Sequence, residues 1–270
     1  MLIGRGIHRY KLNKLIGKGM FGEIWEAVDA INSELVAIKM EYKKDELLLL
    51  KNEAIIYNYI RNQEGFVSLK YYGENETSYF MVMELLGKNV TQLKNDNIID
   101  FTFSLFLFNQ MIQRIQYLHD NYIIHRDIKP DNFMLDNNGN ATLYLIDLGF
   151  CKRYIIGDNH IPIAYNKHVI GTPTFISEYI INGIQGSRRD DLISIYYVFL
   201  FCILSKEKWK YLNSNINNTD DKIHKITLLY ETGIISYNIF NIFTYLRKLS
   251  FTENPDYSFI IQSINNEHTH

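Results

Sequence analysis

The amino-acid sequence predicts an α+β fold, with a small β-rich N-terminal lobe carrying one helix ahead of a larger, mainly helical C-terminal lobe. Three observations predict it. Over about the first eighty residues, apolar side chains alternate at strand period between turn residues. After Gly87 the apolar spacing shifts to the 3.6-residue period of helices. No internal repeat or long linker divides the chain, so two coupled lobes are expected, residues 1–84 and 85–270.

Taken in order, residues 10–16 and 23–29 read as strands flanking a glycine-bearing turn, and 34–40 follows across Ile31-Asn32-Ser33 as in a hairpin ladder. Residues 44–62 place Leu47, Leu50, Ala54, Tyr57 and Ile60 near helical spacing, which predicts the lone helix. Residues 67–72 and 79–85 return to the β pattern. Residues 103–121, 192–204 and 239–249 read as helices, 213–221 as a polar loop, and 265–270 as a frayed end.

The 270 residues carry 28 Lys+Arg against 30 Asp+Glu, a net charge of −2 that excludes a generically basic nucleic-acid coat. With 47% hydrophobic and 14% aromatic residues, intrinsic disorder is excluded too. Cys151 and Cys202 cannot form a disulfide framework and show no zinc spacing, so reduced thiols are expected. The N-terminus lacks the apolar core of a signal peptide, and the longest charge-free apolar run, 192–204, is too short to span a bilayer. These features predict a soluble protein of the cytoplasm or nucleus, with no membrane or nucleic-acid partner.

Gly17-Lys18-Gly19-Met20-Phe21-Gly22-Glu23-Ile24 has the form G-x-G-x-x-G-x-I. A β-like run follows the last glycine, where a dinucleotide fold would need a helix, so this loop joins two strands. Such a loop suits covering nucleotide phosphates with backbone N–H groups. Val36-Ala37-Ile38-Lys39 places a lysine at the end of an apolar strand, and Glu53 on the predicted helix is its candidate partner, ahead of Glu46 and Glu41. His125-Arg126-Asp127-Ile128-Lys129-Pro130-Asp131-Asn132 matches H-R-D-x-K-x-x-N in every polar residue. Leu145-Ile146-Asp147-Leu148-Gly149 then supplies an aspartate after a short apolar strand.

On these motifs the chain resembles the eukaryotic-type protein kinases and their bilobal fold. More narrowly it resembles the casein kinase 1 group, through Met81-Val82-Met83-Glu84-Leu85-Leu86-Gly87, Asp131-Asn132-Phe133, Gly186-Ser187-Arg188-Arg189-Asp190-Asp191-Leu192, and Phe251 followed by Pro255-Asp256-Tyr257-Ser258. Poxvirus-type members of that group usually alter the arginine that is intact here as Arg126, and whether the chain is viral or cellular stays open.

The resemblance implies ATP and Mg²⁺ as cofactors, and protein substrates with Ser/Thr acceptors in an acidic context. Asp127 would accept the hydroxyl proton, Lys129 neutralise charge on the γ-phosphoryl group, and Asn132 and Asp147 hold Mg²⁺. Lys39 paired with Glu53 would fix the α/β-phosphates beneath residues 17–24: Gly17, Lys18, Gly19, Met20, Phe21, Gly22, Glu23 and Ile24. Ile16, Ile24, Ala37 and Met134 would enclose the adenine, with Met83 as gatekeeper and Glu84 and Leu86 offering backbone hydrogen bonds. Asp191 would brace the catalytic loop.

Several departures stand out. Leu148 occupies the usual Phe position and Phe150 the usual Leu position. Thr174 replaces the group's phosphate-binding arginine, which weakens the case for primed substrates. Lys167, Arg188 and Lys222 read as solvated surface. Tyr196 replaces a small residue, and Lys206-Glu207-Lys208-Trp209-Lys210 reads as a charged surface turn anchored by a buried Trp. Basal activity without loop phosphorylation, no regulatory tail and a monomer are expected. The alternative is a pseudokinase scaffold that binds ATP. A small-molecule kinase of the same fold is disfavoured by Lys129 and the Gly186–Leu192 motif.

Overall fold

The computed structural model describes residues 2–3, 9–19, 22–43, 48–215 and 218–269. They form two compact units, residues 1–88 with 134–151 and residues 89–133 with 152–270.

The first unit is built on an antiparallel sheet of β1 (Leu2–Ile3), β2 (Tyr10–Gly19), β3 (Gly22–Asp29), β4 (Leu35–Tyr42), β5 (Leu69–Glu74) and β6 (Ser78–Glu84). Their order is β1-β2-β3-β4-β6-β5, so five long strands carry the sheet and β1 extends its edge. Inward alternation buries Tyr10, Ala27, Val36, Ile38, Met40, Phe80 and Val82 as one core, with Trp25 and Tyr71 packed on it. The helix α1 (Leu49–Tyr59) is shorter than the expected 44–62; residues 44–47, with Glu46, lie outside the described residues. Its N-terminus is held by Glu41, whose Oε2 accepts from Leu50 N–H at 2.7 Å. Glu41 thus caps the helix that carries Glu53.

The second unit is mainly helical. It contains α2 (Val90–Asn95), α3 (Phe101–Asp120), β7 (Ile123–Ile124), and a 3₁₀ turn Pro130–Asn132 leading into β8 (Phe133–Leu135). The chain returns to the first unit within β8, which pairs with β9 (Leu143–Leu145). It then re-enters the second unit through β10 (Lys152–Arg153), β11 (Ile155–Ile156) and β12 (Asn159–His160). The remaining helices are α4 (Glu178–Ile181), α5 (Arg188–Ile203), α6 (Lys206–Leu212), α7 (Thr219–Glu231), α8 (Tyr237–Lys248) and α9 (Tyr257–Asn265). α5 is buried on nearly every side, which explains why its sequence is apolar without a stripe. Phe199 of α5 packs on Phe108 of α3 at 4.9 Å between ring centres, and Tyr196 stacks on Phe243 of α8 at 5.3 Å.

Two expectations are corrected here. Residues 206–210 belong to helix α6, because Ser205 caps it by accepting from Lys208 N–H, and Trp209 is half-buried against Phe175 and Phe201. The polar run 213–221 is cut short by α7, which Asn218 caps through Asp221 N–H. After α9 the described residues form a 3₁₀ turn, Asn266–Thr269. No helix among the described residues is long and apolar enough to cross a membrane.

Candidate active site

In the first unit the glycine loop sits between β2 and β3, where Gly17 pairs with Ile24 and Gly19 with Gly22. Gly22 has φ +139°, and a Cβ there would lie 1.8 Å from the Met40 carbonyl oxygen, so no other residue fits without moving β4. Among the described residues nothing lies within 4 Å of where a Cβ on Gly19 would stand. Lys18 pairs with Glu23 at 3.3 Å, and Glu23 also accepts from Trp25 Nε1 at 3.1 Å. The bond from Trp25 lowers the Glu23 pKa most. Met20 and Phe21 lie outside the described residues.

Strand β4 carries two of the expected residues on one face. Ala37 stands opposite Met83 on β6, both buried, and Lys39 stands opposite Ile24 on β3. Ile16 is exposed, and Leu86 and Met134 are half-buried, so apolar surface remains available for a flat ligand. The Glu84 carboxylate turns away to accept from Ser68 N–H at 2.8 Å, which leaves the backbone of residues 84–86 as the polar edge.

Lys39, Glu53 and Asp147 converge. The Lys39 ammonium donates to Glu53 Oε2 at 2.7 Å and to Asp147 Oδ1 at 2.6 Å. Burial alone would lower the lysine pKa, but the two carboxylates outweigh it and hold the ammonium charged. Burial raises the Glu53 pKa, with Lys39 opposing. Asp147 adopts a left-handed backbone, φ 63° and ψ 61°, capping the 3₁₀ turn Leu148–Phe150. Leu148 N–H donates to Glu53 Oε1 at 3.3 Å, so Glu53 touches both the lysine and the turn after Asp147. Leu148 itself is fully buried, so the apolar role of that position is kept without the aromatic.

In the second unit Asp127 lies in the loop after β7 and is 4% exposed. Its Oδ2 accepts from Lys129 Nζ at 2.6 Å, and its Oδ1 from Thr172 Oγ1 at 2.9 Å. Asn132 Nδ2 donates to the Asp127 carbonyl at 2.9 Å, drawing Asn132 into the same cluster. The loop is braced from α5: Asp191 accepts from His125 N–H at 2.7 Å and from Arg126 N–H at 2.9 Å. His119 Nε2 lies 3.1 Å from the same carboxylate, and its other ring nitrogen 2.7 Å from the Tyr257 hydroxyl. Burial would raise the Asp191 pKa, but His119 and the backbone donors hold it below the ordinary value.

Sequence reasoning missed some of this arrangement. Thr172 is not among the expected site residues, yet its hydroxyl holds Asp127. Arg188 and Lys222 are buried, not solvated. Arg188 bonds Thr252 O at 2.6 Å and Asn254 Oδ1 at 2.9 Å, and Lys222 donates to Thr174 O at 2.8 Å while lying 3.6 Å from the Tyr197 ring centre. Burial lowers the Lys222 pKa to about 7. Lys167 is exposed, as expected.

A lysine bridging two carboxylates beneath a glycine hairpin, and separately a carboxylate bracketed by lysine and threonine, are the parts of a phosphotransferase. The family model for the protein kinase domain matches residues 10–255. The chain belongs to the protein kinase family, with that family's α+β fold and its use of ATP as phosphoryl donor.

Proposed function

We propose that the chain is a Ser/Thr protein kinase of the casein kinase 1 type, dependent on ATP and Mg²⁺. The observation that carries this reading is the Asp127 carboxylate held between Lys129 and Thr172. A lysine two residues after the aspartate is the arrangement of Ser/Thr-directed kinases, and the sequence motifs of Met81–Gly87 and Gly186–Leu192 support the narrower group.

In this reading Asp127 orients the acceptor hydroxyl and takes its proton, with Thr172 fixing one carboxylate oxygen and Lys129 the other. Lys129 then stands where negative charge develops on the transferred group. Lys39 binds the α/β-phosphates, oriented by Glu53. Asp147 and Asn132 offer the carboxylate and amide oxygens that a hard cation takes; the Asn132 NH₂ is committed to the Asp127 carbonyl, which leaves its oxygen as the donor. When bound, Mg²⁺ supplies the charge that neutralises the phosphate oxygens. Ile16, Ile24, Ala37 and Met134 enclose the adenine, and the Glu84 and Leu86 backbone holds its edge. Lys222, spent on Thr174, is withdrawn from any phosphate-binding site, which argues against a requirement for primed substrates.

Phosphoamino-acid analysis of casein labelled from γ-phosphate ATP tests the specificity. Phosphoserine and phosphothreonine are expected. Phosphotyrosine alone would overturn the Ser/Thr assignment, and ATP binding without any transfer would establish the scaffold alternative.

A further inference from the structure

The turn that carries Asp147 is tied to α1 by a residue outside the catalytic motifs. Asn52, immediately before Glu53, directs its Nδ2 at two backbone carbonyls: Gly149 O at 2.8 Å and Cys151 O at 3.2 Å. Both hydrogens of one amide nitrogen are used, which aspartate or leucine cannot reproduce. The approach is close, because a Cβ on Gly149 would come within 3.2 Å of Leu49 Cβ at the start of α1. Asn52 and Glu53 therefore grip the same five-residue stretch from adjacent positions, Glu53 through Leu148 N–H and Asn52 through the carbonyls beyond it.

The Asp147 carboxylate also ties this stretch to Lys39, and in the reading above both groups of that pair are used in binding Mg²⁺ and phosphates. Once Lys39 turns to the phosphates, Asp147 needs anchors that do not involve its own side chain. The Leu148 N–H makes a single bond, to Glu53 at 3.3 Å, and its side chain supplies packing but no polar anchor. The two carbonyl bonds from Asn52 supply one, and they persist whichever partner the Asp147 carboxylate has.

We propose that Asn52 is a positioning residue that locks the Asp147 turn onto α1 and so holds Asp147 in its metal-binding orientation. This rests on the reading of Asp147 as a Mg²⁺ ligand. Asn52 touches no reacting atom in this account; it acts through the backbone of Gly149 and Cys151.

Hydrogen–deuterium exchange on the full chain, with Asn52→Leu and the milder Asn52→Ala, tests it. Loss of two neutral hydrogen bonds is expected to speed exchange at the amides of residues 148–151 roughly 30-fold, with the sheet-core amides of Ile38 and Val82 unchanged. Asn52→Gln, which keeps both donors, is expected to restore part of the protection. In the same variants the Mg²⁺ concentration for half-maximal ATP turnover rises several-fold, while binding of metal-free ATP is unchanged. Unaltered exchange at 148–151 would overturn the lock, as would equal loosening at Ile38 and Val82. A faster-exchanging turn with unaltered Mg²⁺ dependence would overturn the positioning role. If the wild type bound ATP without transferring phosphate, the kinase reading would fall while the exchange data still decided the lock.

Discussion

Replacing Lys39 by methionine removes the cation that bridges Glu53 and Asp147 while nearly keeping the length of the side chain. The Glu53 side chain is 2% exposed and Lys39 lies 2.7 Å from it. At an effective dielectric of about 20, a unit pair at the 2.7 Å separation is worth roughly 6 kcal/mol before desolvation is subtracted. Breaking a buried pair by removing one partner costs about 3–5 kcal/mol net, because the remaining charge stays buried and unpaired. At about 2–4 °C per kcal/mol, Lys39→Met should lower Tm by roughly 6–20 °C. The loss should depend on pH. Without Lys39, burial raises the Glu53 pKa further above its unfolded value; a carboxyl raised in this way binds its proton more tightly when folded, so stability falls as pH rises. The deficit is therefore smaller at pH 5 than at pH 8. Lys39→Met combined with Glu53→Gln removes the orphaned charge and should recover most of the loss. Thermal denaturation of wild type, both single variants and the double variant at the two pH values measures this. A single Lys39→Met variant as stable as wild type at pH 8, or a double variant no better than the single, would refute the reasoning.

Other expectations follow from the second unit. Thr172→Val removes the donor to Asp127 Oδ1; a hydrogen bond to a charged group is worth about 1.5–3 kcal/mol, so kcat should fall roughly 10- to 100-fold with the KM for ATP unchanged, as steady-state kinetics would show. Lys222, at about 7 when folded, is held well below its value in an unfolded chain, near ~10.4. The unfolded state thus binds the extra proton between these values, and stability should rise with pH across that window by up to roughly 5 kcal/mol from this group. Denaturant titrations of wild type against Lys222→Met should show the difference between them shifting toward wild type as pH rises. Tyr196 is fully buried, and its hydroxyl has no hydrogen-bond partner among the described residues. Tyr196→Phe should therefore raise Tm by at least about 2 °C, since an unsatisfied buried hydroxyl costs ~1–3 kcal/mol.

What the sequence makes legible is local chemistry. The α+β fold follows from periodicity, and the five long strands coincide with the alternating runs to within a few residues. Asp127 and Asn132 sit in a motif whose spacing marks them, Lys39 ends an apolar strand, Glu53 is one candidate on the helix that follows, and Asp147 follows a short apolar strand. Illegible are the partners that only tertiary packing supplies. Thr172 reaches Asp127 from a position far along the chain, and nothing in Gly171-Thr172-Pro173 distinguishes that hydroxyl from an exposed one. Lys222 and Arg188 read as surface because charged residues usually are; aromatic rings at Tyr197 and Tyr154 and backbone carbonyls satisfy them inside. Residues 206–210 read as a turn because their charge hides a short helix whose start is fixed by one cap, Ser205.

The central claim is that Asp127 serves as the base of a working phosphotransferase. Its most direct test is the rate of γ-phosphate transfer from ATP/Mg²⁺ to casein by wild type and by Asp127→Asn, with ATP affinity measured alongside. A base of this kind contributes about 10²–10⁴ in rate, so a fall of at least about 100-fold with ATP affinity unchanged is predicted. Transfer at the wild-type rate by Asp127→Asn would contradict it.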